Sequence, residues 1–522
     1  MNSPKSHILL TNISRSGCND VSNPQQFTNS NADIDGLALG SLLYLTLPTL
    51  IFFIGFFRPA IGIMLAALTI IGLVYVFKLR TGDWHITSPG RLAIVIGVAL
   101  IWASMGGAGH FFYANSDWVV RDAVLRDLVV SDWPPTYGKF GDLSLILRAP
   151  VGYFMPAALL GKAFGVANAD FFLWLWTVMG VALFLALLPL PTRSTFRLGA
   201  ALVVIVLFSG MDIVGIVVAR QPLPSFTTHI EWWARGFQYS SNTTLLFWAP
   251  NHAIPAWIAA ALFFRHWRNH AFPAFAPMML ASLPLWSPFA LIGIAPLMLL
   301  PAALAIRQGT WSMLGVPYVL PAIGVLLIAL LYLTLDVHRI PSRGMLSMPY
   351  FLLVYAVFVA VEFAVLALIL WRLQPSSPLF VSIVVLLLLP LWRFGPSNDF
   401  VMRASIPALT ILCATTLLCI DREIFKTNRI AAIALVVTLA LGAETAIHEI
   451  IRAIAVERWQ PNTEHSLLDT QNGTLPAHYV GQLNQAGLMW LLKEPKPNRL
   501  LLKSDFDSPH EFSNGSAQKA NE

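Results

Sequence analysis

The chain has 522 residues, of which 56% are hydrophobic and only 11% are charged, and its formal net charge is +6. A mean hydropathy of +0.66 excludes an ordinary soluble protein of this size. In a membrane protein a surplus of lysine and arginine is first a signal of orientation, so it does not indicate a nucleic-acid partner.

Apolar runs recur from residue 36 to residue 447, and each can cross ~30 Å of hydrocarbon as a helix. They predict an all-α fold, a polytopic transmembrane helix bundle of about thirteen spans. The first 35 residues form a polar segment without the apolar core of a signal peptide, so no cleavage is expected. The predicted spans are 36–57, 59–77, 91–113, 168–190, 198–219, 250–264, 272–287, 288–306, 312–334, 348–371, 377–392, 401–420 and 430–447.

Segment 149–165, APVGYFMPAALLGKAFG, fits either a span or a helix in the membrane interface, because it is short and contains two prolines. If it stays on the outer surface, basic residues accumulate in every short cytoplasmic connection, as the positive-inside rule requires. This choice predicts an N-terminus inside and a C-terminus outside. It also gathers loops 114–167, 220–249, 335–347 and 393–400, with a tail or small cap at 448–522, on the outer side of the domain 36–447.

The first outer loop contains SDWVVRDAVLRDLVV, which predicts an interfacial helix capped by Ser116. Helical spacing places Asp117 over Arg121 and Asp122 over Arg126, giving two ion pairs four residues apart. The two acids point about 140° apart, so one metal ion held by both is not expected. The simplest interpretation is therefore a surface helix with two ordinary ion pairs.

Three features of this loop favour a functional site instead. Asp117 directly follows a predicted span, where its carboxylate would lie at the edge of the hydrocarbon. His110 comes seven residues earlier, two turns along the same face if the helix is continuous. The sequence DWPPTYG and the apolar segment 149–165 then follow.

Polar residues in later loops and span ends supply further candidates. Asn251 and His252 enter the bilayer between two prolines, which is costly unless they face a cavity or satisfy backbone groups freed by Pro255. Arg403 either pairs with Asp399, four residues earlier, or binds a lipid phosphate through its forked guanidinium. Candidates with weaker support follow: Arg339 for phosphate, Glu231 with Arg235 as a surface pair, Trp232 and Trp233 as interfacial anchors, and Glu362 as a mid-span acid that must be paired or protonated.

The first outer loop resembles that of the GT-C superfamily of integral-membrane glycosyltransferases, particularly the lipid A aminoarabinose transferases and protein O-mannosyltransferases. The shared features are an acid just after a span, an arginine four residues later, a surface helix, a DW-P turn and a Pro- and Tyr-containing apolar helix ending in KAFG. The chain departs from the family pattern at Trp118, which replaces a second acid. It also departs at Val151, Gly152 and Tyr153, which replace an aromatic run.

This resemblance implies a GT-C-like fold, a place in the bacterial inner membrane and transfer of a sugar from a polyprenyl-phosphate donor to a lipid, glycan or protein. It assigns the catalytic role to Asp117, and Asp122 is the second choice. The residue types and positions described above, and not the resemblance, make Arg121, Arg403, His252, Asn251, His110 and Arg339 the candidates for substrate or phosphate binding. The sequence assigns no cofactor and allows a divalent metal ion. The alternatives are a transporter or flippase of lipid-linked sugars and a non-catalytic protein of envelope assembly. Charges concentrated at one face, with only Glu362 deep in the bundle, favour the enzyme.

Overall fold

The computed structural model describes residues 34–80, 88–140, 143–191, 194–234, 236–310, 314–339, 343–345, 349–395, 398–421, 428–470 and 478–496. Most of these residues are helical, as the sequence predicts, and each predicted span contains a helix. Among them, eight helical segments are long and apolar enough to cross a membrane, or nine if one bent pair counts as a single span. A membrane protein is therefore supported, whereas a count of thirteen crossings stays a prediction.

The helices are α1 (Gly36–Phe56), α2 (Pro59–Phe77), α3 (Pro89–Met105), α4 (Asp117–Val130), α5 (Met155–Phe164), α6 (Ala169–Leu187), α7 (Thr195–Leu207), α8 (Asp212–Val218), α9 (Asn242–Trp248), α10 (Pro250–His266) and α11 (Phe272–Ser282). They continue with α12 (Pro288–Ile294), α13 (Leu299–Gln308), α14 (Val316–Leu333), α15 (Phe351–Val359), α16 (Val365–Leu373), α17 (Ser377–Leu388), α18 (Asp399–Ala404), α19 (Ile406–Asp421), α20 (Arg429–Ala455), α21 (Leu467–Thr470) and α22 (Ala486–Leu491). Short 3-10 turns lie at Val166–Asn168, Glu231–Ala234, Ala295–Met298, Val337–Arg339 and Leu389–Leu391.

Two small antiparallel sheets correct the all-α prediction. Strands β1 (Thr136–Phe140) and β2 (Leu143–Leu147) lie in the first outer loop, and β5 (Val480–Gln482) from the C-terminal segment pairs with β2. The second sheet pairs β3 (Arg343–Met345) with β4 (Trp392–Phe394). Both sheets are formed by segments between the helices. Two of the three strand pairs join distant parts of the chain, and helical periodicity does not reveal such pairs.

The third predicted span, 91–113, is shorter than expected because α3 ends at Met105. Gly107 lies against the indole of Trp118, and a Cβ at this position would approach the indole nitrogen to 1.8 Å. The close packing of α4 against this turn therefore requires glycine. His110 follows in a left-handed conformation with φ 47°, so it does not continue the α3 face toward Asp117 as predicted.

The predicted span 198–219 is broken. Helices α7 and α8 meet at a bend of 44° around residues 208–211. Opposite this break, the span 351–373 contains a π-helical turn at Ala360–Ala364, and the Met211 N–H donates to the Val361 carbonyl over 3.2 Å. Two irregular backbone segments therefore contact each other inside the bundle.

Helix α4 is not an open surface helix, because the C-terminal segment covers it. The Asn462 and Leu467 backbone N–H groups donate to Asp122 and Asp127 over 3.1 and 2.9 Å. The Trp459 indole N–H donates to the carbonyl of Ala114 over 2.8 Å. Asp122 and Asp127 on the polar side of α4 are thus buried under residues 459–470, which we call the cap segment.

Helix α5 occupies the ambiguous segment 149–165. Its ten residues span about 15 Å, which is too short to cross the hydrocarbon. It packs against α4, α6 and α1. Residues 151–158 are buried against these neighbours, and the place of segment 149–165 on the outer side of the membrane stays a prediction.

Asp127 ties α4 to the cap segment and should make stability depend on pH. Its carboxylate accepts from the Tyr137 hydroxyl, the Leu467 N–H and Arg126, but burial outweighs them and raises the pKa of Asp127 to about 6. The folded protein then holds the proton up to a higher pH than the unfolded chain does. We expect the free energy of unfolding to fall by up to about 3 kcal/mol as the pH rises from about 4 to about 6.

Thermal unfolding of purified protein across this pH range, compared with Asp127→Asn, measures this effect. The asparagine variant should lose the part of the pH dependence that Asp127 contributes. Asp132→Asn is the matched control, because the Asp132 side chain is exposed. Parallel pH profiles for wild type and Asp127→Asn would contradict the assignment.

Candidate functional site

Asp117 begins α4, and neighbouring side chains fix its position. The Asn115 side-chain oxygen accepts from the Asp117 N–H over 3.1 Å, whereas Ser116, the predicted cap, makes no capping bond. The Asn115 amide and the Trp118 indole both donate to the carbonyl of Phe247 over 2.8 Å. The start of α4 is therefore anchored to α9, and Asn115 replaces Ser116 as the cap.

The predicted pair of Asp117 and Arg121 is present, with 3.3 Å between the carboxylate and the guanidinium. The Asp117 side chain is 46% exposed, whereas that of Arg121 is 8% exposed. Arg121 also lies over the Trp118 ring at 5.7 Å from its centroid. This geometry presents a reachable carboxylate beside a fixed cation.

Arg403 lies in α18, far from Asp117 in the sequence, and forms the other predicted ion pair. Its guanidinium lies 2.9 Å from Asp399, and its Nε has no hydrogen-bond partner among the described residues. The ion pair leaves this buried N–H without a partner, and the phosphate role stays a prediction.

The charges of both ion pairs act on Tyr479. Burial raises the pKa of its hydroxyl, and the charges of Arg121, Arg403, Asp117 and Asp399 also act on it. The charges of both pairs therefore lie near one tyrosine of the C-terminal segment. The sequence does not single out Tyr479, since nothing in the local pattern around it connects residue 479 with the first outer loop.

His252 and Asn251 lie in the first turn of α10. The charges of Arg121 and Arg403 act on His252, whose Nδ1 lies 2.7 Å from the hydroxyl of Ser287. The buried side-chain oxygen of Asn251 has no hydrogen-bond partner among the described residues. The structure thus brings His252 to the cations that were predicted to bind phosphate, and places Asn251 one residue before it.

The second predicted ion pair is wrong. Asp122 lies 3.1 Å from His110 instead of pairing with Arg126, which contacts Asp127 at 3.0 Å. The cap segment explains the change, because it contacts both partners: the Trp459 carbonyl lies beside His110, and the Asn462 N–H donates to Asp122. Asp170 lies in the same group and was missed, although it also stands in the first turn of a span-forming helix.

His110, Asp122 and Asp170 could hold a metal ion, since one ligand atom from each lies within 4.8 Å of the other two. The Nδ1 of His110 lies 3.2 Å from the carbonyl of Trp459, which directs Nε2 toward the carboxylates. Such outer contacts commonly orient histidine ligands, and one nitrogen with two carboxylates suits Zn²⁺ or Mn²⁺. In the metal-free state burial lowers the pKa of His110, but Asp122 and Asp170 raise it above its usual value overall.

A small cavity of about 10 Å³ adjoins this histidine and acid cluster. Its lining includes Asp122, Asp170 and Asn462. The volume suits about one water molecule and is too small for a sugar. This cluster is therefore a candidate cation site, whereas Asp117 is the more accessible acid.

Three other sequence candidates have different outcomes. The side chain of Arg339 lies outside the described residues. Glu231, expected in a surface pair, is buried, and its carboxylate accepts from Gln238 and from the Ser241 N–H over 2.7 and 2.9 Å. Trp232 is exposed, but Trp233 is buried in the bundle and is not an interfacial anchor.

Binding of Zn²⁺ or Mn²⁺ by purified, chelator-treated protein tests the cluster. We expect one tightly bound ion and at least about tenfold weaker binding in Asp170→Asn, because one charged ligand is lost. Asp117→Asn is the matched control and should bind like the wild type. Equal affinity in wild type and Asp170→Asn would show that the ion binds elsewhere.

No protein-family model, no curated protein and no solved structure matches the chain.

Proposed function

We propose that the chain is an integral-membrane glycosyltransferase of the GT-C type, which transfers a sugar from a polyprenyl-phosphate donor to an acceptor on the outer face. The observation that supports this proposal is the Asp117–Arg121 ion pair, with its exposed acid, together with Arg403, since the charges of all three act on Tyr479. Sugar transfer from a lipid phosphate needs both kinds of group: a base for the acceptor and cations for the leaving phosphate.

The proposed reaction uses these side chains in a single displacement. The acceptor hydroxyl attacks the anomeric carbon, and its proton passes to the carboxylate of Asp117. The bond between the sugar and the phosphate oxygen breaks, and the electron pair stays on the phosphate. Arg121 and Arg403 stabilise the additional negative charge, the latter through the N–H that has no partner. The products are a glycoside and a free polyprenyl phosphate.

Asp122 takes a positioning role in this proposal. It is buried and accepts from the Asn462 N–H and from His110, so its carboxylate faces the cap segment. A cation held by His110, Asp122 and Asp170 would fix the start of α6 against α4. The acceptor therefore meets Asp117 first, and Asp122 supports the helix that carries it.

One observation favours the alternative function, a transporter. Glu362 is not the only buried acid, because Asp212 and Glu231 are also buried, and Asp212 lies at the break between α7 and α8. Broken helices with buried polar groups are typical of transporters. A transporter of lipid-linked sugars would move its substrate without changing it.

One experiment separates the functions. Purified protein in lipid vesicles is given a radiolabelled sugar on a polyprenyl phosphate, and both product formation and movement of the intact lipid across the bilayer are measured. Formation of a labelled glycoside with release of polyprenyl phosphate supports the enzyme. Movement of the intact donor without transfer would favour the transporter, and neither activity with a panel of donor sugars would favour the assembly protein.

A further inference from the structure

Three acids lie in the interior, away from the Asp117 site. Asp212, Glu362 and Glu231 are 1%, 3% and 1% exposed. Asp212 is the first residue of α8, directly after the helix break, and Glu362 lies in the π-helical turn opposite it. Irregular backbone of this kind inside a membrane protein is usually found where it lines a binding site.

Asp212 and Glu362 share one donor. The Trp233 indole N–H lies 3.1 Å from Asp212 Oδ1 and 2.9 Å from Glu362 Oε1. Thr445 donates to Asp212 Oδ2 over 2.7 Å. The two carboxyl groups also lie within hydrogen-bonding reach of each other, which needs a hydrogen atom between them.

The fourth oxygen of this pair, Glu362 Oε2, is buried without a hydrogen-bond donor among the described residues. It faces Gly210 so closely that a Cβ there would approach it to 2.0 Å. The cavity beside it measures about 10 Å³, and its lining includes Ser209 and Ser240. This is room for one water-sized occupant.

The surrounding charges do not neutralise the pair. In the described part of the chain, no lysine or arginine forms an ion pair with Asp212 or Glu362. His229 and Arg452 approach from the loop and from α20, but both contact Glu449, at 2.7 and 2.6 Å.

Glu231 adds another negative charge to this interior, and its partners are the neutral Gln238 and Ser241. The side chain of Arg235, which follows it by four residues, lies outside the described residues. Two carboxylates in contact inside a bundle cannot both stay ionised without a bound positive charge.

We propose that Asp212 and Glu362 form a binding site for one small monovalent cation, either a proton or a sodium ion, with Glu362 Oε2 facing the occupant. Glu362 Oε2 and the side chains of Ser209 and Ser240 supply the hard oxygen atoms that such an ion requires. This inference does not depend on sugar transfer, because the site is separate from Asp117.

Thermal unfolding of the full-length protein in lipid nanodiscs tests this site. In choline chloride, the melting temperature of the wild type should fall by several degrees from about pH 5 to about pH 8, because the folded site loses its proton. Sodium chloride of equal ionic strength should restore it if sodium binds. If the occupant is only a proton, sodium has no effect, but the pH dependence remains.

Glu362→Gln should remove this pH or sodium dependence, because the amide is neutral and keeps the shape of the side chain. Asp132→Asn, at an exposed position, is the control and should retain it. Groups such as His229, Glu449, His110 and Asp127 titrate in both proteins, so the difference between wild type and Glu362→Gln reports the site. Identical pH and sodium profiles in these two proteins would overturn the proposal.

A second measurement tests the proposal even if the Glu362→Gln variant does not fold. Infrared spectra of the wild type should show a protonated carboxyl group that loses its proton when the pH rises or when sodium is added. Asp212→Asn should shift or remove this band, because it breaks the contact between the two carboxyl groups. A wild-type spectrum without a protonated carboxyl and without a response to sodium would also overturn the proposal.

Discussion

If the chain transfers sugars as proposed, Asp117→Asn should lower the rate of transfer by about 10²- to 10⁴-fold, because the amide cannot take the proton of the acceptor. The expected loss is in kcat, since the side chain keeps its size and donor affinity depends mainly on the arginines. Initial rates with labelled polyprenyl-phosphate sugar measure this effect. Asp122→Asn should cost much less, about tenfold, because Asp122 is buried and faces His110 and the cap segment.

Three comparisons make the Asp117 result specific. Asp132→Asn changes another acid of the first outer loop and should retain wild-type rates. Asp117→Glu should recover part of the activity, because it restores a carboxylate. Full activity in Asp117→Asn, or a larger loss in Asp122→Asn, would remove Asp117 from the catalytic role.

Arg403→Gln should reduce kcat/KM by about 30- to 1000-fold, because a charged hydrogen bond to the donor phosphate is lost. Arg403→Lys should recover only part of this loss, since a single ammonium cannot replace the forked contact. Donor binding and turnover, measured separately, should show a raised KM together with a lowered kcat, because the arginine also stabilises the leaving phosphate.

Arg265→Gln is the matched control for Arg403. Arg265 is also a partly buried arginine in an ion pair, with Asp35, but it lies in the last turn of α10, whereas His252 lies in the first. Its removal should leave kcat/KM unchanged in the folded protein. Equal losses in Arg403→Gln and Arg265→Gln would indicate a general effect of lost ion pairs on the bundle and not a phosphate site.

Local patterns in the sequence predicted much of this molecule. Long apolar runs located the helices, because a bilayer requires about 20 apolar residues for each helical crossing. The contact between Asp117 and Arg121 followed from helical spacing alone. The proposed phosphate partner Arg403 was located by its position at the outer end of a predicted span. These features depend on residues close in sequence or on the thickness of the membrane.

Contacts between distant segments could not be predicted in this way. Asp122 has Arg126 one turn away, yet it contacts His110, because the cap segment buries this face of α4. Tyr479 reaches the site through pairing of β5 with β2. Asp212 and Glu362 meet only because a break in one span lies opposite a π-helical turn in another.

The pairing of β5 with β2 also concerns the synthesis of the protein. Strand β2 is among the early parts of the chain to be made, whereas β5 follows α20. Tyr479, on which the charges of Asp117 and Arg403 act, lies directly before β5 and takes its place only after α20 has been made. Because long-range strand pairing forms slowly, we expect the site to remain incomplete while the ribosome is still translating, and a nascent chain to be inactive toward its donor.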